Sequence, residues 1–133
     1  MTDNELAKYG YENGTPVSFV QITAKGIQID RAQPAKLTPE PLSHVTWGKS
    51  EFSHFSSRVS RSSLYTPERE AEEMNFEAPA SMPIKLFLYV NEANKDAAVD
   101  YLKRNFKREA LKRIAQLKAG IQFHEAALAE LGL

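Results

Sequence analysis

The chain contains no cysteine, which excludes a disulfide framework, thiol catalysis and any zinc or iron-sulfur site held by thiolates. A reducing compartment suits such a composition. Net charge is absent too, since 17 Lys/Arg balance 17 Asp/Glu, so the molecule as a whole is not a bulk polyanion binder. No apolar run approaches the roughly 20 residues that span a bilayer. The acidic start, Met1-Thr2-Asp3-Asn4-Glu5, lacks the apolar core of a signal peptide. The expected location is the cytoplasm. There is also no Gly-rich phosphate loop, no nucleophile elbow and no carboxylate pair in a recognisable context. His44, His54 and His124 lack the close spacing of a zinc site, so neither a metal nor a cofactor is expected.

What is present reads as one small α+β protein of 133 residues, long enough to build a modest core of its own. Residues 1–15 form a polar lead-in broken by Gly10, Asn13 and Gly14, and they are expected to be flexible. A single domain should occupy 16–133. Val17 to Thr23 is rich in β-branched and aromatic residues, Lys25-Gly26 makes a turn, and Ile27-Gln28-Ile29 alternates, a pattern that predicts a hairpin. Pro34, Pro39 and Pro41 predict that 31–43 is a surface or edge loop. A further strand is expected near His44 to Trp47. Thr66-Pro67 predicts a short helix with the threonine as N-cap. Ile84 to Val90 is the clearest strand and is expected mid-sheet, with Ile84, Leu86, Leu88 and Val90 on one face and Phe87 and Tyr89 on the other.

From residue 95 to 131 no proline intervenes, and apolar residues recur at threes and fours. The expected fold is therefore a small, mainly antiparallel sheet covered by a long C-terminal amphipathic helix, with Gly120 the place where that helix would bend or split. From Ile114 onward the spacing is strictly 3-4, through Leu117, Ile121, His124 and Leu128, which is the seam of a coiled coil or a two-helix packing. An apolar strip of this length exceeds what one small sheet can cover. A homo-oligomer, with a dimer as first choice, is expected to use Ile114, Leu117, Ile121 and Leu128.

Charge is unevenly placed along the chain. Residues 1–94 hold 9 Lys/Arg against 12 Asp/Glu, residues 95–133 hold 8 against 5, and Lys103 to Lys118 holds 7 against 1. At about 100° per residue, Lys103, Arg104, Lys107, Arg108, Lys112 and Lys118 share one half of the helix beside the apolar stripe, whereas Arg113 falls off that band. Phosphates are the natural partners of such a band, because Arg offers a bidentate fork and Lys a point charge. Arg58 and Arg61 extend the set, and Trp47, Phe55 and Tyr89 are candidates for stacking on a base. The leading expectation is thus a non-enzymatic, oligomeric binder of nucleic acid or a nucleotide. The alternative is a protein-interaction or inhibitor module, in which the helix only oligomerises and its cations meet the glutamates of residues 68–73.

A third reading starts from His44-Val45-Thr46 and His54-Phe55-Ser56. Each resembles the His-hydrophobic-Ser/Thr motif of the two-histidine phosphoesterases, which would imply a phosphoesterase using His44 and His54. In that family the two motifs come from separate halves of a duplicated fold. Here they are ten residues apart, no duplication is visible, and six residues of 133 carry the likeness. This reading ranks behind the other two.

Overall fold

The computed structural model describes residues 3–38, 44–47 and 58–133. The element order is α1 (Asp3–Lys8), β1 (Pro16–Thr23), β2 (Gly26–Ile29), β3 (Gln33–Leu37), β4 (His44–Trp47), β5 (Val59–Ser60), β6 (Lys85–Asn91) and α2 (Lys95–Leu131), with short 3-10 turns at Arg61–Ser63, Pro67–Ala71 and Glu92–Asn94. The result is an α+β fold, a curled antiparallel sheet with a long helix.

The β1–β2 hairpin forms as the sequence predicts, closing over Ala24 and Lys25 with Thr23 opposite Gly26. β1 is the pivot of the sheet. One of its edges pairs with β6 along nearly its whole length, from Val17↔Asn91 to Thr23↔Lys85. Its other edge is shared, Val20 to Thr23 going to β2 and Pro16 and Val17 to β3. From β3 the sheet continues to β4 and β5. This division curls the sheet, so that Ala35, Val45 and Trp47 from the far strands meet Val17, Phe19 and Tyr89 in one apolar cluster. On the opposite face Val20, Ile22, Leu86, Leu88 and Val90 join Ala98, Tyr101 and Leu102 of α2 in a second. Both faces of β1 and β6 are therefore buried over much of their length, and Val17 to Ile22 of β1 form an unbroken buried run that takes in Ser18 and Gln21. The two-faced reading of β6 holds: Leu86, Leu88 and Val90 lie under α2, and Tyr89 lies in the other cluster.

Several expectations need correction. The lead-in is not a bare polar tail. Leu6 is fully buried and Tyr11 is 1% exposed, because α1 and the turn after it lie against the β1, β3 and β4 side chains. The Tyr11 hydroxyl donates to the carbonyl of Tyr65, and Asn91 Nδ2 donates to the carbonyl of Tyr9 at 2.8 Å. Gly10 makes this approach possible: its φ is +88°, and a Cβ there would sit 2.9 Å from Asn91 Nδ2.

The proline-bearing stretch contains an internal strand, β3, between β1 and β4. It tolerates Pro34 because its pairing with β1 spans only two residues, with Pro34 opposite Pro16 at the corner where the sheet curls. β6, conversely, is not mid-sheet. Its outer edge carries an isolated parallel bridge, Leu64↔Tyr89, and Tyr65 donates its N–H to Tyr89 there at 2.8 Å. The helix expected after Thr66 is a 3-10 turn over Pro67–Ala71, and Thr66 makes no side-chain cap.

α2 runs 37 residues without a break at Gly120 and ends on Gly132 in the left-handed conformation. Its length is about 55 Å at ~1.5 Å per residue. The last buried residue along it is Arg113, and beyond that point every residue is exposed save Ala127, which is half-buried. Among the described residues, no helix is long and apolar enough to cross a membrane.

Candidate functional site

The basic band of α2 does not form a uniform phosphate surface. Arg104 pairs with Glu70, and Arg108 pairs with Glu73 at 3.1 Å while donating to the carbonyl of Met74 at 2.6 Å. Glu70 lies within the 3-10 turn at Pro67–Ala71 and Glu73 just after it, so two of the cations are used inside the fold. Glu70 also accepts a hydrogen bond from the Tyr65 hydroxyl at 2.6 Å. That bond, reinforced by Arg104, holds its carboxyl below the usual carboxylate value. Burial, with Glu70 as acceptor, pushes the Tyr65 phenol up.

The residue that the band omits is the most deeply engaged. Arg113 is 5% exposed and bonds to Glu109 one turn earlier at 3.1 Å. Its terminal nitrogens donate to the carbonyls of Pro79 at 3.1 Å and Ala78 at 3.2 Å, and also to that of Met82. Its guanidinium lies 5.1 Å from the centre of the Phe76 ring. One side chain thus gathers the irregular stretch between the 3-10 turn and β6, where the backbone has no strand or helix to satisfy its carbonyls. Asn105, also buried, does the same at Met74, accepting its N–H at 2.9 Å. Sequence reasoning missed both roles. The only available signal was that Arg113 and Glu109 are spaced i,i+4 on the core side of the stripe.

The other predicted binding residues are dispersed. Arg61 is buried, paired with Asp3 and donating to the carbonyl of Thr38, so it ties α1 to the end of β3 and is not a surface contact. Arg58 is exposed before β5, remote in sequence and element from α2. Trp47 and Tyr89 are buried and stack on each other with ring centres 5.1 Å apart, which makes them core residues and removes them as stacking platforms. Phe55 and His54 lie outside the described residues. His44 sits in β4, where its backbone pairs with Thr38. Among the described residues, no group of three His, Asp or Glu side chains is placed to hold a metal ion.

Four lysines of the band, Lys103, Lys107, Lys112 and Lys118, are exposed, and no acid within ion-pair distance of them is found among the described residues. The apolar seam beyond them is exposed as well: Ile114 and Leu117 are 48% accessible, Ile121 56%, Leu128 51% and Leu131 69%. The structure therefore brings together a projecting helical segment with an apolar seam on one side and lysines at its base. The fold and this segment define the class, an α+β domain carrying a protruding amphipathic helix. Comparison with known proteins finds no matching family model, no matching curated protein and no matching solved structure.

Proposed function

We propose that this protein is a non-enzymatic interaction module that associates with its own kind through the projecting half of α2. One observation carries the reading. From Ile114 to Leu131, about 27 Å of helix leaves the domain with its large apolar side chains at least 48% exposed, a hydrophobic surface that isolated helices of this length do not stabilise in water on their own. The internal use of Arg61, Arg104 and Arg108 supports the same reading, because it engages three of the four arginines expected to meet phosphate within the fold. Light scattering tests it: wild type should be a dimer or larger, and Ile121→Glu should be a monomer with unchanged unfolding of the domain. Monomers in both cases would defeat the proposal.

A second reading rests on the exposed lysines. Lys103, Lys107, Lys112 and Lys118 form a solvated cationic stretch suited to a phosphate-bearing polymer more than to a compact nucleotide, since the four exposed lysines are strung along the helix axis and not gathered in one pocket. Binding of a labelled oligonucleotide at low salt that weakens steeply as salt rises, and that is lost in Lys103→Glu/Lys107→Glu, is the expected result. No binding at low salt removes this reading.

A further inference from the structure

We infer that the partner of the projecting helix is the same segment of a second copy, packed antiparallel so that the two domains stand at opposite ends of a short two-helix rod. This rests on the self-association proposed above and adds its geometry.

Antiparallel packing sets each seam residue against a position on the partner that runs in reverse order. The register that uses the whole segment places Ile114 opposite Leu131 of the second copy, Leu117 opposite its Leu128, and Ile121 opposite its His124. Each contact occurs twice by symmetry. Every seam residue then faces a large side chain, and the single polar seam position, His124, meets an isoleucine. In a parallel pair the two His124 would face each other instead.

Charge selects the same orientation. Lys118 and Glu125 each follow a seam isoleucine by four residues, so both lie on the same flank. In the antiparallel register the Lys118 of one copy lies beside the Glu125 of the other, twice per dimer. The wider distribution agrees, because the helix carries no Lys or Arg after Lys118, only Glu125 and Glu130. Antiparallel packing lays the acidic end of one helix on the basic base of the other, whereas parallel packing sets like charges side by side.

The length fits as well. The seam positions preceding Ala110 are filled by Lys107 and Lys103, so the apolar stretch begins where α2 leaves the domain and ends at the Gly132 cap. Two such segments match end to end.

The chain has no cysteine, so single introduced thiols report the geometry without background. Leu117→Cys and Leu128→Cys should each resist crosslinking alone under mild oxidation, while an equimolar mixture should yield a disulfide-linked dimer with a 117–128 bridge by mass spectrometry. In parallel measurements with no introduced thiol, Lys118→Glu should weaken the dimer about tenfold and Lys118→Glu/Glu125→Lys should restore it. Crosslinking within each single variant, with no gain on mixing and no charge-swap rescue, means a parallel dimer. That overturns the inference and leaves self-association standing. A wild type that stays monomeric at about 100 µM defeats self-association itself, and the antiparallel rod with it.

Discussion

Within one unbroken helix, the half before Arg113 and the half after it carry apolar residues at the same three-and-four spacing and come to opposite ends. Ala98, Tyr101 and Leu102 are buried on the sheet, and Val99, Phe106 and Ala110 pack half-buried beside them. Among the described residues, nothing covers Ile114, Leu117, Ile121 and Leu128. The cations divide by residue type and not by half. Arg104, Arg108 and Arg113 each find a carboxylate or a row of carbonyls in residues 70–82, while Lys112 and Lys118 stay in water. The apolar spacing is thus the same in the two halves. What differs is whether other chain lies within reach.

The largest effect that would sharpen this contrast is expected at the last buried position. Arg113→Ala leaves Glu109 buried without its cation and several carbonyls without a donor, so it should destabilise the domain by about 3–5 kcal/mol in urea unfolding. Lys112→Ala, the neighbour facing water, should stay within about 0.5 kcal/mol. Equal effects would break the distinction between engaged arginines and solvated lysines.

Next in size is the amino-terminal segment. Leu6→Ala should lower stability by about 2–4 kcal/mol, the usual result of deleting a fully buried leucine side chain. No change in the urea midpoint would mean that α1 adds nothing to the core. A smaller effect separates the paired arginines from the solvated lysines. Arg104→Glu/Arg108→Glu places like charges beside Glu70 and Glu73 and should cost about 1–2 kcal/mol with no ligand present, and Lys103→Glu/Lys107→Glu should cost nearly nothing by the same melt.

The smallest effect is a pH dependence. Glu70 has its carboxyl held below its ordinary 4.5 by the Tyr65 hydrogen bond and then by Arg104. Its folded form therefore binds its proton less readily than the unfolded chain, and the stability it contributes is present above the ordinary value and lost as pH falls through the lowered one. Glu70→Gln should flatten the acid limb of a stability curve as pH falls below 4.5 and leave the limb at neutral and alkaline pH unchanged. Tyr11 works in the other direction. Burial raises its phenol above 10.0, so stability should decline as pH climbs past that value, where the unfolded chain loses its proton first.

Much of the architecture was legible in the residues because it depends on local chemistry. The alternation in residues 84–90 determined both faces of β6, the Lys25-Gly26 turn and its flanking strands determined the first hairpin, and the proline-free run after Asn94 determined a long α2, with Gly120 the one point left open. Gly120 leaves that helix whole because glycine only weakens a helix, and nothing within 4 Å crowds the position.

What the tertiary structure alone decided concerns partners distant in sequence. Leu6 and Tyr11 belong to the core only because β3 and β4 curl over to meet them, and Pro34 sits inside a sheet only because β1 leaves β3 after two pairs. The candidate site divides along the same line. The basic and apolar patterns of α2 could be read in advance, but which arginines are consumed depended on where residues 70–82 pass, a stretch without periodicity of its own. Hydrophobic period and turn residues act over a few positions and can be read from the chain, whereas the satisfaction of a buried carbonyl or guanidinium waits on which segments the fold brings together.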